Sequence, residues 1–166
     1  MAATYTPIAS ITLGAAASSV TFSSIPQTYT DLVVVTNWGQ TSGDLYLRVN
    51  NDTSSLYSET WIRGNGTNAA SNRLSSRDGW YVDYNGVALN VIQPNAVINF
   101  INYSNTTTFK NALWRENDSS SSVELHVGLY RSTSAITSIS LISTGSANSL
   151  MSGATFNLYG ILAGNA

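Results

Sequence analysis

The sequence predicts an all-β protein: an antiparallel sandwich of two sheets, of the jelly-roll type, with at most one short helical turn. Three observations support this prediction. Apolar and polar residues alternate along many short runs, which is the pattern of half-buried strands. Val, Ile, Thr, Tyr and Phe are plentiful, and these residues favour strands. Turn residues separate the runs at a spacing of roughly 8–12 residues, which is typical of sandwiches and barrels.

The first third of the chain contains four predicted strands. They cover Ile8–Leu13, Ser19–Ser23, Asp31–Trp38 and Asp44–Asn50. The Leu-Val-Val-Val run in Asp31–Trp38 indicates a central strand that is covered on both faces. In Asp44–Asn50 the apolar residues Leu45, Leu47 and Val49 share one face. The helical turn is expected at Asp52–Ser58, where Asp52 or Thr53 would cap it.

The rest of the chain continues the alternation. Further strands are predicted over Gly79–Tyr84, Val87–Ile92, Ala96–Tyr103, Thr107–Glu116, Ser122–Arg131, Ala135–Ser143 and Thr155–Leu162. The dipeptide Asn85-Gly86 predicts a type I′ hairpin turn, because both central residues of that turn need positive φ. In Ser122–Arg131 the pattern predicts one face turned inward, with the opposite face in solvent. The inward set is Val123, Leu125, Val127 and Leu129, and the outward set is Glu124, His126 and Tyr130.

The segment 63–78 interrupts this rhythm within what is predicted to be one domain, residues 1–166. It is rich in Gly, Asn and Ser and holds three of the seven basic residues, so a long polar loop insertion is predicted. Such loops are uncommon in compact domains and are usually functional or mobile. The segment is either a floppy insertion or ordered against a partner chain. The second interpretation makes candidate partner contacts of Trp61, Arg63, Arg73, Arg77 and Asp78.

Charge and cysteine content exclude several classes of function. Only 10% of residues are charged and the net charge is −2, so a basic face for nucleic acid is not expected. The chain contains no cysteine, which excludes disulfides and thiolate metal sites. This fits folding in a reducing cytosol, or assembly into something larger that supplies stability. The N-terminal residues do not predict a secretory signal. The apolar run Leu32–Val35 is too short to span a membrane.

The ionisable residues do not predict a catalytic site. The single histidine, His126, lies beside Glu124 on a polar strand face, which indicates an ordinary exposed or edge histidine. Glu116 and Asp118 are predicted in a solvated hairpin loop, and Asp83 on the polar face of its strand. We therefore expect no enzyme activity, no metal and no cofactor. A glycoside hydrolase would need two acids, for instance from Asp83, Glu116 and Glu124, on one concave surface.

Aromatic residues are the remaining signal, with four tryptophans and nine tyrosines. Trp80 and Tyr84 share one strand face with Val82, which predicts a core position. Trp38, Trp61 and Trp114 lie near predicted strand ends or loops. Core or rim positions are the default for them, and glycan stacking is the alternative, because aromatic rings stack on sugars as well as anchoring interfaces.

Segments at both ends of the chain resemble small structural proteins of tailed bacteriophages, in particular jelly-roll decoration or cement proteins. The matching segments are Ile8–Gly14, Ser19–Pro26, Tyr29–Val35, Leu129–Ile139 and Phe156–Ile161. The middle of the chain, about Asn51 to Asn90, matches only loosely.

This resemblance implies a non-enzymatic virion protein. The first expectation is a capsid decoration protein that folds in the bacterial host cytoplasm, forms a homotrimer and stabilises the head by binding the major capsid protein. The alternative is a carbohydrate- or receptor-binding module of a tail fibre or appendage, which would use a surface glycan as its ligand. Neither expectation involves nucleic acid, a membrane or a cofactor.

Overall fold

The computed structural model describes residues 4–84, 94–118, 122–147 and 149–162. These residues form twelve strands, and no helix occurs among them. The strands are β1 (Tyr5–Thr12), β2 (Ser19–Phe22), β3 (Asp31–Asn37), β4 (Leu45–Val49), β5 (Tyr57–Gly64), β6 (Ala69–Arg77), β7 (Trp80–Tyr81), β8 (Asn95–Ile101), β9 (Lys110–Asp118), β10 (Ser122–Tyr130), β11 (Ile139–Ser143) and β12 (Thr155–Ile161). Within the described ranges, no helix is long and apolar enough to span a bilayer.

The strands form two antiparallel sheets of unequal size, which confirms the predicted all-β sandwich. The large sheet has eight strands in the order β1-β12-β3-β8-β9-β10-β5-β6, and the small sheet has four in the order β2-β11-β4-β7. Strand β3 pairs with β12 and β8, and Leu32, Val33 and Val34 are buried. The predicted central strand is thus confirmed.

The core lies between the two sheets. Leu45, Leu47 and Val49 face it from β4, as predicted. Tryptophan side chains tie the layers together: Trp80 Nε1 donates to the carbonyl of Ser58 at 3.0 Å. Throughout, "inner face" denotes the side of the large sheet that packs on the small sheet, and "outer face" its opposite side.

Strand β10 alternates as predicted, but with its faces reversed. Glu124 and His126 are buried on the inner face, whereas Val123, Leu125 and Val127 are 61%, 43% and 54% exposed on the outer face. The neighbouring strands set this orientation. In register with His126 lie the large rings of Trp61 on β5 and Trp114 on β9, and these rings fill the inner face.

Gly128 belongs to the same inner face and shows how closely it is packed. A Cβ atom at Gly128 would lie 2.7 Å from Cε2 of Trp80 and 2.9 Å from Cζ3 of Trp114. Both distances are shorter than a van der Waals contact. The indole of Trp80 therefore occupies the space that a larger residue on β10 would need.

The segment 63–78 forms most of a β hairpin, which corrects the predicted loop insertion. Strand β5 pairs with β6 across a turn in which Asn65 Oδ1 accepts from the N–H of Asn68 at 2.7 Å and Gly66 has a φ of 83°. Strand β6 is at the edge of the sheet, and most of its side chains are exposed whichever face they belong to. Because neither face of this edge strand is buried, its residues are not constrained to alternate in polarity, and its sequence shows no strand pattern.

The helical turn predicted at Asp52–Ser58 does not form. Asp52 Oδ1 instead accepts from the N–H of Ser54 at 2.8 Å, as in an Asx turn, and β5 begins at Tyr57. The predicted Asn85-Gly86 turn and the strand Val87–Ile92 lie outside the described residues.

Candidate functional site

The inner face of β5, β9 and β10 holds a row of rings around the single histidine. The imidazole of His126 stacks on the indole of Trp114, with ring centroids 4.7 Å apart and an interplanar angle of 15°. His126 is fully buried, at 0% exposure. The expectation of an exposed or edge histidine is therefore wrong, because the aromatic neighbours place this residue in the core.

The carboxyl group of Glu124 lies beside this stack. Its Oε2 is 3.0 Å from His126 Nε2, and its Oε1 is 3.8 Å from Arg63 Nη1. The Arg63 guanidinium also lies over the ring of Trp61, 5.9 Å from its centroid. A buried carboxylate is tolerated when hydrogen bonds and opposite charge surround it, and these contacts meet that requirement.

Two further acids are buried nearby with partners of their own. Glu59 Oε2 accepts from the N–H of Tyr81 at 2.9 Å, and burial raises the pKa of Glu59 to about 8. Asp83 accepts from the N–H of Leu45, and burial raises the pKa of Asp83 well above its ordinary value. Asp83 is thus a core residue, which corrects its predicted place on a polar strand face.

Glu116 is also buried rather than in a solvated loop. It lies on β9 in register with Glu124 on β10. The two acids line a cavity of about 330 Å³ with Asn95, Arg115, Asn117 and Val123. Asp83 does not line that cavity, so the structure brings two of the three acids together. Among the described residues, no group of three or more His, Asp or Glu side chains could hold a metal ion.

The outer face carries a contiguous set of exposed aliphatic side chains, here named the aliphatic patch. Its members are Ile62, Leu113, Val123, Leu125 and Val127, with exposures between 39% and 61%. Leu125 is in register with Ile62 on β5, and Val127 with Leu113 on β9. The small sheet packs on the opposite face, so none of the described elements covers the patch.

Arginines border the aliphatic patch. Arg115 is in register with Leu125, and Arg73 on β6 is in register with Thr60; both arginines are exposed. By register and alternation, the other described outer-face side chains of β8, β9, β10, β5 and β6 are aliphatic or neutral polar, and none is a carboxylate. Among the described residues, the charged side chains that belong to the outer face of these strands are therefore all positive.

A groove of about 620 Å³ opens at one end of the aliphatic patch. Its lining comprises Ile62, Arg63, Gly64, Ala69, Ala70, Ser71, Val123, Glu124 and Leu125. Gly64 and Ala69 are in register, and their small size leaves room between the larger neighbours. Most of the lining is aliphatic or small, and the charged residues Arg63 and Glu124 complete it.

The three tryptophans suggested for glycan stacking are buried. Trp38, Trp61 and Trp114 are 0%, 5% and 2% exposed. The ring of Trp61 packs on Tyr84 with centroids 5.2 Å apart, and Trp114 Nε1 donates to the carbonyl of Val82 at 3.1 Å. The structure corrects the stacking hypothesis for these rings, because a sugar needs an open ring face.

The other candidate contact residues occupy different places. Arg63 reaches the inner face beside Glu124, and Arg73 is exposed on β6. Arg77 Nη2 donates to the hydroxyl of Tyr81 at 2.8 Å, and Asp78 forms an ion pair with Arg48. Arg73 borders the aliphatic patch and Arg63 lines the groove at its end. A partner contact by these residues stays a prediction.

Sequence reasoning missed the aliphatic patch because a face of Val and Leu is normally assigned to the core. The sizes of the residues on the inner face were the signal in the sequence that could have identified which face of β10 is buried. Gly128 in the alternating run, opposite large aromatic residues, is consistent with a tightly packed inner face.

Comparison with known proteins finds no matching family model and no matching curated protein. One similar solved structure is the crystal structure of scytalido-glutamic peptidase with a transition state analog inhibitor. It is 11% identical, the alignment covers 89% of this chain and 66% of that chain, and the TM-score is 0.28. This chain thus spans just under two thirds of that peptidase's length. A likeness at this level says nothing about activity.

Proposed function

We propose that this chain is a non-enzymatic structural protein of a tailed-phage virion. Its role in this proposal is that of a capsid decoration protein, which self-associates as a trimer and stabilises the head by binding the major capsid protein. The observation that carries the proposal is the aliphatic patch. The resemblance of the terminal segments to phage decoration proteins supplies the context.

Exposed aliphatic side chains favour an interaction role because their hydration is unfavourable. Single exposed apolar residues are ordinary, whereas contiguous patches mark surfaces that contact proteins, membranes or ligands. Leu125 and Val127 lie in the middle of β10 with exposed aliphatic neighbours on both adjacent strands. A surface of this kind gains free energy when a partner covers it.

Several buried polar groups have partners within the fold, which supports a packing role for the inner face in this proposal. Glu124 contacts His126 and Arg63, and Glu59 accepts from Tyr81. These contacts hold the Glu124 carboxyl and one oxygen of Glu59, whereas Glu59 Oε1 and His126 Nδ1 have no hydrogen-bond partner among the described residues. The inner face thus contributes to packing in this proposal, and the outer face contributes to binding.

The experiment that tests this function is quantitative mass spectrometry of purified particles, with their heads and tails separated. We expect the chain in the heads, in a fixed ratio to the major capsid protein. Heads that lack it should lose resistance to heat. Recovery in the tail fraction would replace the proposal with the alternative, a receptor-binding module of a fibre. Absence from particles, or heads of unchanged resistance, would overturn it.

The trimer has its own measurement. Sedimentation equilibrium of the isolated chain at micromolar concentration should give three times the mass of 17.7 kDa. A monomer at that concentration would contradict self-association. Binding to the capsid would then still be tested by the experiment on particles.

A further inference from the structure

We propose that the aliphatic patch and its groove dock onto a protein surface that presents aliphatic side chains bordered by carboxylates. The inference rests on one part of the proposed function, namely that the chain binds another protein. It adds which face binds and what the partner's chemistry must be.

The charge around the patch selects the partner. Arg115 and Arg73 are exposed beside it, and neither forms an ion pair within the described residues. No described outer-face side chain of these strands is a carboxylate. Glu116 and Glu124, which share a cavity with Arg115, belong to the inner face. A partner with carboxylates at the border would gain paired charge at the rim and apolar contact at the centre, which is the usual anatomy of a protein interface.

The same face of a second copy does not meet this requirement. Contact between two copies through this face would bring Arg115 and Arg73 against arginines, with no carboxylate among the described outer-face residues to pair with them. Like charges opposed across an interface are unfavourable. The trimer of the proposed function therefore uses another surface.

An anionic membrane is a weaker match than a protein. Electrostatic binding to lipid uses clusters of about four to eight basic residues, whereas among the described residues Arg115 and Arg73 border this patch and Arg63 lines its groove. Membrane–water interfaces are also enriched in Trp and Tyr. The patch instead consists of Ile, Leu and Val on a β-sheet.

The size of the patch indicates how the partner engages it. The five side chains expose roughly 400 Å², which is within the range of the largest apolar patch on a typical monomer. A stable interface buries about 800 Å² on each partner, so contact must extend beyond the patch. The groove over Gly64 and Ala69 is contiguous with it and supplies further area. We expect an aliphatic side chain of the partner to enter this groove.

A pair of synthetic peptides tests the inference on the full-length protein. One peptide has a Leu-Val-Leu-Val centre with two glutamates at each end, and its counterpart carries lysines in place of the glutamates. Binding is followed by backbone amide shifts in NMR. We expect the acidic peptide to shift residues of β9, β10 and β5 and to bind about tenfold more tightly than the basic one.

Substitutions sharpen the test. The double substitution Arg73→Glu and Arg115→Glu should reverse the preference between the peptides, whereas Arg115→Lys should retain it. Val127→Thr should weaken binding of the acidic peptide. Ile101→Thr is the matched control, because Ile101 is exposed on β8 but lies outside the patch.

Three results would overturn the inference: equal affinity for both peptides, a dimer that Val127→Thr dissolves, or stronger binding to phosphatidylserine vesicles than to the acidic peptide. The mass spectrometry of particles can fail while the peptide test succeeds, or the reverse. The two proposals therefore stand or fall separately.

Discussion

The imidazole of His126 lies parallel to the indole of Trp114, with 4.7 Å between ring centroids and 15° between the ring planes. The same imidazole contacts Glu124 through Nε2. The single histidine is thus both a packing surface for an aromatic ring and the nearest polar neighbour of a buried acid. Its removal affects both interactions.

We therefore expect His126→Ala to lower the free energy of unfolding by about 2–4 kcal/mol, because it leaves a cavity under Trp114 and removes a partner of a buried carboxyl group. Urea denaturation followed by tryptophan fluorescence measures this. His126→Gln retains an amide donor and should lose less. A loss below about 0.5 kcal/mol for the alanine variant would show that the stack does not stabilise the fold.

The buried carboxyl of Glu59 predicts a pH dependence of stability. Because its pKa is raised, the folded chain holds this proton up to about pH 8, whereas the unfolded chain releases it near the ordinary pKa of 4.5. The native state then binds more protons between these values, so the free energy of unfolding falls as the pH rises from about 4.5 to 8. Above pH 8 this contribution is constant.

Glu59→Gln removes that titration and keeps an acceptor for the N–H of Tyr81. We expect the variant to be more stable than the wild type at pH 9, by about 1–3 kcal/mol, and to lose less stability between pH 5 and 9. Some decline should remain, because the raised pKa of Asp83 acts in the same direction. Urea denaturation midpoints of the variant and the wild type between pH 5 and 9 measure this difference. Parallel pH profiles for the two proteins would exclude a buried, titrating Glu59.

Gly128→Ala tests the contact between β10 and Trp80. The added Cβ would lie 2.7 Å from a rigid indole that is itself held by its hydrogen bond to Ser58. We expect a loss of about 1–3 kcal/mol, as for other overpacked cores. Gly14→Ala is the matched control, because a Cβ added at Gly14 would have no neighbouring atom within 4 Å. Equal stability of the two variants would contradict the close packing.

One substitution at two valines tests which face of the large sheet is buried. Val34 on β3 is fully buried, and Val127 on β10 is 54% exposed. We expect Val34→Thr to cost about 1–3 kcal/mol, because it buries a hydroxyl group, and Val127→Thr to change stability by less than about 0.5 kcal/mol. Chemical denaturation of both variants provides the measurement. A large loss at Val127 would restore the face assignment that the sequence predicts.

The strand pattern could be predicted from the sequence because period 2 is a local property. The runs at Asp31–Asn37 and Ser122–Tyr130 are strands within a residue of their predicted bounds. Which side of a strand is buried is a property of the whole sheet. Val127 and His126 exchange their expected places because Trp61 and Trp114 on the neighbouring strands fill the inner face. The aliphatic patch was for this reason not predictable from β10 alone.

Strand β6 was missed for the opposite reason. Its residues Ala69–Arg77 are mostly exposed on both sides, so no burial constrains their order. Only its pairing with β5 identifies it as a strand. Polar composition and a strand conformation are compatible at a sheet edge, where the backbone ladder to one neighbour is sufficient.

The position of β6 at the margin of the large sheet has a consequence for crowded conditions. A bare strand edge invites chains to stack laterally into fibrils, and cationic side chains on such an edge oppose that growth. The exposed Arg73 gives β6 this protection. Molecules held at high local density can then remain separate along this border.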